Sequence, residues 1–214
     1  MPDPDTPPDH APLTSCVGIV LAAGHGRRYA ALAPDEDKLL APLPDGRPVA
    51  LAAVAAMRAA TARTVAVVRP DNPALARLLA AEGCEVLATG AGKNGMGDSL
   101  AAVARHLLRT CGPDVQTCLV ALGDMPWVRP LTCIQVARAS QGHKIVAPAW
   151  DGRRGHPVAF HRTLWAELAA LAGDAGARAL LGRHPVTELA VDDPAVLADV
   201  DIPEDLTSAG KIYR

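Results

Sequence analysis

The sequence predicts an α/β fold, three-layer αβα around a mostly parallel sheet, and two observations carry that expectation. Short apolar runs bounded by turn residues recur along the chain, as at residues 17–23, 64–68 and 117–122. Between them, apolar residues return every third or fourth position, so strands alternate with amphipathic helices. A strand that is apolar along its whole length is buried on both faces, which requires helices on either side of the sheet.

The first strand, 17–23, stops at Gly24, and a helix follows in which Pro48 occupies the first turn and Leu51, Val54 and Met57 share a face. Residues 64–68 form the second strand. Asn72 and Pro73 are a cap and a first-turn proline; Leu75, Leu78 and Leu79 make the buried stripe, and Gly83 ends the helix. The third strand spans 84–88. A glycine-rich loop over 90–97 leads to a helix capped near Asp98 or Ser99, with Leu100, Val103, Leu107 and Leu108 facing inward. Strand 117–122, helix 131–139 and strand 145–147 follow. Beyond them the spacing predicts an edge strand at 158–161, a helix at 164–171, another after Gly176, a last strand at 186–191 and a terminal helix opening at Pro203.

Composition narrows the function. The chain has 214 residues, enough for one domain with a sizeable core. Residues 1–15, rich in proline and aspartate, read as a disordered tail, leaving 16–214 as the single domain. A net charge of -2 argues against nucleic acid as a partner, because such binding needs a basic surface. No apolar run reaches the roughly 20 residues of a membrane span, and residues 1–15 lack a secretory pattern, so no membrane and a cytoplasmic location are expected. Cys16, Cys84, Cys111, Cys118 and Cys133 form no CxxC pair and read as buried free thiols.

In such sheets ligands bind at the carboxyl ends of the strands. After the first strand stand Gly24, Gly26 and Arg28, glycines that let backbone N–H groups approach an anion and a planar cation beside them. The pattern is not a dinucleotide fingerprint, since Tyr29 takes the place of the third glycine. Lys38 reads either as a surface lysine paired with Asp35, Glu36 and Asp37 or, with Arg28, as a grip on a triphosphate. Asp124, directly after a buried strand, is either the cap of the next helix or a magnesium ligand, with a second carboxylate in Asp199 or Asp201. His156 in its Gly155–Pro157 turn is structural or a ligand contact, and Asp174 with Arg178 is an ion pair or part of a site.

In order along the chain, Leu21 Ala22 Ala23 Gly24 with Gly26 and Arg28, Lys38 Leu39 Leu40, Gly95 Met96 Gly97 Asp98 Ser99 Leu100, Gly123 Asp124 Met125 Pro126, Gly155 His156 Pro157 Val158, Gly173 Asp174 Ala175 Gly176 Ala177 Arg178 and Asp199 Val200 Asp201 Ile202 Pro203 Glu204 Asp205 Leu206 resemble the molybdenum cofactor guanylyl- and cytidylyltransferases. Paired alanines in the first motif are more similar to the cytidylyltransferase branch. The resemblance implies a Rossmann-like sheet of the glycosyltransferase-A-like nucleotidyltransferase type. It also implies transfer of CMP from CTP to the phosphate of molybdopterin, with release of pyrophosphate and formation of molybdopterin cytosine dinucleotide for a molybdenum hydroxylase.

By the same resemblance Gly24, Gly26 and Arg28 hold the triphosphate, with Lys38 stabilising its charge. Leu21, Ala22, Ala23, Gly95 and Ser99 embrace base and ribose, Asp124 and Asp201 bind Mg2+, and His156 and Asp174 face the acceptor. The chain departs from the family pattern at Ala30, which replaces a glycine, and at 31–37, which lengthen the interval before Lys38. Two other functions stay open: the same chemistry on a sugar, polyol or other small phosphate, and a cofactor-binding maturation chaperone without catalysis.

Overall fold

The computed structural model describes residues 11–89 and 95–207. Strands β1 (Leu13–Ala22), β2 (Thr61–Val68), β3 (Glu85–Ala88), β4 (Thr117–Leu122), β5 (Ile145–Trp150), β6 (Arg153–Arg154), β7 (Val158–His161) and β8 (Thr187–Ala190) form one sheet. Helices α1 (Arg27–Leu32), α2 (Val49–Ala60), α3 (Pro73–Ala81), α4 (Met96–Thr110) and α5 (Pro130–Ala139) fall between the strands through the first two thirds of the chain, and α6 (Trp165–Ala169) and α7 (Arg178–Arg183) stand between β7 and β8. The sheet runs β3-β2-β1-β4-β7-β5-β6, with β8 beside β5. Its β3–β2–β1–β4 half is parallel throughout, and β8 is parallel to β5.

The period-two geometry of β1 divides the core. Cys16, Val20 and Ala22 face one side, packing with Met57 of α2, Leu75 and Leu79 of α3 and Val136 of α5. Val17 and Ile19 face the other, with Leu100, Val103 and Leu107 of α4, Trp165 and Leu168 of α6 and Leu180 of α7. Gly18 keeps α2 close, because a Cβ there would lie 2.6 Å from both Met57 Cγ and Thr61 Oγ1. All five cysteines are buried and free, and the thiols of Cys16 and Cys133 are pushed up to about 12 by burial. Among the described residues no helix is long and apolar enough to cross a membrane.

Several boundaries differ from the expectation. The expected tail of 1–15 is cut short on its described side, because β1 begins at Leu13, which pairs with Thr61; residues 1–10 lie outside the described residues. Of the expected loop at 90–97, residues 90–94 are likewise outside them. The next helix has Gly95 as its N-cap, with Asp98 near the cap as expected: its carboxylate accepts from the Gly95 N–H at 3.0 Å. Asn72 caps α3 as expected, accepting from the Leu75 N–H at 3.1 Å. The terminal helix is a 3₁₀ turn at Pro203–Thr207.

The largest correction concerns 158–161. This strand is not an edge: β7 lies between β4 and β5, antiparallel to both, and Val158, Ala159 and Phe160 are buried. The preceding turn sends it back through the sheet. Gly155 donates to the Pro148 carbonyl at 2.9 Å and His156 N–H to the Val196 carbonyl at 2.9 Å, so the turn is clamped between β5 and the 3₁₀ segment Pro194–Leu197.

A Cβ at Gly155 would lie 2.1 Å from the Val196 carbonyl oxygen, whereas one at Gly112 would meet nothing within 4 Å. Gly155→Ala is expected to destabilise the protein by about 1–3 kcal/mol, the usual cost of forcing extra volume into a packed site. Urea unfolding of the two alanine variants checks this. Equal midpoints for Gly155→Ala and Gly112→Ala would remove the clamp from the account of β7.

Candidate active site

The parallel strands deliver their ends to one edge, and the loops there carry the charged residues. After β1 the chain turns through Gly24 and Gly26, the latter at φ 54, a left-handed conformation that glycine adopts without strain. The Lys38 side chain packs over this turn, its Cβ 3.6 Å from where a Gly26 Cβ would be. A larger residue at 26 would therefore be strained in its backbone as well as crowding the lysine stem.

Lys38 reaches the site despite the longer interval before it. Tyr29 is fully buried, and its hydroxyl donates to Glu36 Oε2 at 3.0 Å, which ties the 31–37 segment back to α1. Burial, together with Glu36, pushes the Tyr29 hydroxyl up to about 12. Asp37 closes the segment: Oδ1 accepts from the Leu39 N–H at 2.8 Å and Oδ2 from Asn72 Nδ2. Lys38, its side chain only 11% exposed, then donates from Nζ to Asp124 Oδ2 at 2.6 Å. The surface alternative fails, since the lysine's partner is a carboxylate at the end of another strand.

Asp124 does not cap the next helix. The group that tethers the start of α5 is Asp193, 1% exposed, whose Oδ2 accepts from the Arg129 N–H at 2.9 Å and the Thr132 hydroxyl at 2.6 Å. The Asp124 carbonyl instead accepts from the Val200 N–H at 2.8 Å, which brings the Asp199–Asp201 segment alongside. Asp201 pairs with Arg28 at the surface. Burial, reinforced by the charges of Asp124 and Asp201 and opposed by Lys38, raises the Asp199 pKa. This concentration of carboxylates at a sheet edge suits a hard divalent cation. Among the described residues no group of three or more His, Cys, Asp or Glu side chains could hold a metal by itself, so substrate phosphate oxygens and water would complete its shell.

A cavity of about 360 Å³ opens beside these groups. Of the expected nucleotide-site residues, Leu21, Ala23, Gly24, Gly26, Lys38, Gly95, Ser99 and Asp124 line it. Ala22 does not; its side chain is 3% exposed and turned into the α2 side of the core. Arg28 and Asp201 stand outside the lining, paired with each other. Asp174, expected on the acceptor side, lines this cavity instead. The reason is backbone packing: Gly97 N–H donates to the Gly173 carbonyl at 2.8 Å, and a Cβ at Gly95 would lie 2.3 Å from Gly173, so 173–174 are pressed onto the start of α4. The lining also includes Met96, within the 95–100 segment that the resemblance assigns to base and ribose, and His25, Arg27, Leu39 and Leu122, which have no assigned role in the sequence-based expectation.

A second cavity, of about 310 Å³, shares Leu21, Met96 and Leu122 with the first and holds His156, Arg154 and Arg178 among apolar walls that include Val120, Val158, Phe160 and Leu181. His156 is half-buried and its Nδ1 has no hydrogen-bond partner among the described residues. Burial holds its pKa below 6.5, outweighing the opposing effects of the Val120 backbone and the Asp124 charge. The two cavities form one cleft, with two arginines and a neutral imidazole on the side away from Lys38.

The MobA-like NTP transferase domain model matches residues 18–188. No curated protein sequence matches the chain. Among solved structures it resembles Rv0371c from Mycobacterium tuberculosis H37Rv at 31% identity and TM-score 0.76, over 90% of this chain and 96% of that one. The same protein in complex with manganese gives a TM-score of 0.71 over the same shares at 31% identity. A nucleotidyl transferase from Methanothermobacter thermautotroptrophicus, Mth528, shares the fold at 23% identity and TM-score 0.73, over 89% of this chain and 93% of that one. With the strand order, the glycine turn and the carboxylate edge already in place, the match over most of the chain shows that this protein belongs to the MobA-like NTP transferase domain family.

Proposed function

We propose that this NTP transferase moves CMP from CTP to the phosphate of a molybdopterin-type acceptor and releases pyrophosphate. The observation that carries the transfer chemistry is the convergence of the Gly24–Gly26 turn, Lys38 and Asp124 on one cavity. The choice of CTP and of the acceptor rests on the resemblance through Ala22, Ala23 and the later motifs. A divalent ion is supported by the carboxylate edge and by the manganese bound to the Mycobacterium tuberculosis relative.

In the proposed reaction an acceptor phosphate oxygen attacks the α-phosphorus of CTP. A new O–P bond forms, the bond to the β-phosphate oxygen breaks, and pyrophosphate departs with that electron pair. An ionised phosphate has no proton to give up, so no general base is needed and catalysis reduces to placement and charge stabilisation. Lys38 and Arg28 offset the charge that grows on the leaving group. Asp124 and Asp201 would hold Mg2+, which supplies further charge neutralisation on phosphate oxygens. His156, neutral at pH 7, with Arg154 and Arg178 faces the acceptor side of the cleft. Its predominantly apolar walls favour a second reading, in which the acceptor is a smaller phosphate with an apolar body.

Mixing the full-length protein and magnesium with each of the four NTPs and with molybdopterin or small phosphates, and measuring pyrophosphate, tests both readings. Turnover is expected with CTP and molybdopterin; turnover on small phosphates alone would select the second reading. Asp124→Ala is expected to lower turnover at least about a hundredfold, in the range of losses for a removed transition-state stabiliser, with its circular dichroism unchanged. Wild-type turnover by that variant would overturn the metal assignment.

The lowered pKa of His156 also sets a pH dependence. Below the unfolded value of about 6.5 the unfolded chain takes up a proton before the folded one, so stability present above that pH is lost as pH falls. Thermal melts of wild type and His156→Asn from about pH 7.5 to about pH 5.5 should show a shallower acid-side loss in the variant. Parallel profiles would remove His156 from this explanation.

A further inference from the structure

Arg69 is the residue after β2, at the same edge of the sheet as the glycine turn, since β2 runs parallel to β1 with Ala22 opposite Val68. Its guanidinium reaches across to that turn. Nη1 donates to the Gly24 carbonyl at 2.8 Å, while Nε donates to Asp71 Oδ1 at 2.9 Å. The arginine fork is rigid and planar, so two bonds from different edges settle its orientation. Hydrogen bonding to Arg69 holds the Asp71 carboxyl below the usual carboxylate range, so the carboxylate remains charged through neutral pH.

The Gly24 carbonyl and the His25 N–H belong to one peptide unit. A trans peptide is planar, with these two groups pointing in opposite directions, and among the described residues the cis bond is at His156–Pro157. Drawing the carbonyl toward Arg69 therefore turns the His25 N–H away from it. A polar recess of about 190 Å³, lined by the turn residues 24–26, by Arg69 and Lys38 and by the carboxylates Glu36 and Asp37, adjoins the larger cavity and shares the turn residues and Lys38 with it.

We propose that Arg69 is a positioning residue of the triphosphate site, fixing the Gly24–His25 peptide so that its N–H is presented to the β- and γ-phosphates of the nucleotide. This rests on the nucleotidyl-transfer reading above. It adds a residue whose action runs through the backbone of the turn, and it explains why an arginine is held at the end of β2. Lysine at this position could reach one of the two acceptors but could not brace the turn from both.

Calorimetric titration of the full-length protein with CTP, CMP and inorganic pyrophosphate, each with magnesium, tests it. Arg69→Ala is expected to weaken CTP and pyrophosphate about tenfold, the loss of roughly one hydrogen bond to a charged group, and to change CMP by less than about twofold. Arg69→Lys should recover part of the loss, and Asp71→Asn should show the same pattern at about threefold. If Arg69→Ala does not fold, the Arg69→Lys and Asp71→Asn ratios decide. Unchanged CTP binding, or equal weakening of CTP and CMP, would overturn the role of Arg69 while leaving the transfer reading intact. A wild-type protein that binds neither CTP nor any other nucleoside triphosphate would overturn that reading, and the role of Arg69 with it.

Discussion

β1 lies between β2 and β4 and runs parallel to both, with Ala22 opposite Val68 and Leu21 opposite Leu122. Parallel pairing of three neighbouring strands forces their carboxyl ends to one edge. Whatever follows each strand must then meet there: the glycine turn after β1, Arg69 after β2 and Asp124 after β4. The antiparallel β7 adds a residue by the opposite route. Because it runs against β4, with Val158 opposite Val120, its beginning lies at that same edge, and His156 arrives from ahead of a strand. The site is thus a consequence of strand direction before it is a consequence of any side chain.

Charge then tightens what the sheet assembles. The Lys38–Asp124 pair joins groups separated by 86 residues, and both partners are largely withdrawn from water. Removing one partner of such a pair strands a poorly solvated charge, a much larger penalty than the net worth of the pair. Arg28–Asp201 is different in kind, with the arginine side chain 77% exposed, and solvent screening leaves it little stabilising value. The first pair organises the centre of the site, and the second leaves Arg28 at its rim. This contrast explains how the lysine tolerates a lengthened lead-in: Tyr29, Glu36, Asp37 and Asn72 anchor the segment, and Asp124 provides the destination.

The elements of the parallel half were legible in the sequence because their signals are local. Fully apolar strands, the Asn72–Pro73 cap and Gly83 at φ 78 each declare themselves within a few residues. The glycine turn and Asp124 were legible through residue type at strand ends, whereas Lys38, well past the end of β1, stood out only beside Arg28 and through the family resemblance. What the sequence hid depends on distant partners. Nothing near 158–161 says that β7 enters between β4 and β5, and nothing near Gly95 announces the Gly173 backbone that crowds it. Asp193 and Arg69 were passed over for the same reason, since the helix start that one tethers and the carbonyl that the other holds are far away in sequence.

The displacement of Asp174 has the widest consequence of these. Because Gly97 hydrogen-bonds to the Gly173 carbonyl and Gly95 lies against Gly173, the 173–174 segment and the start of α4 form one packed unit. That unit places Asp174 with Ser99 and Gly95 on the cavity of Lys38, while Arg178, a few residues on, lines the cavity of His156. One segment therefore borders both halves of the cleft, and Met96, exposed at the start of α4, stands where they join. In the proposed reaction the acceptor phosphate and the α-phosphate must approach within bonding reach. The shared wall of Leu21, Met96 and Leu122 is where occupants of the two halves would come together. In that proposed reaction the close glycine contacts at the start of α4 would be a condition for the two substrates to meet.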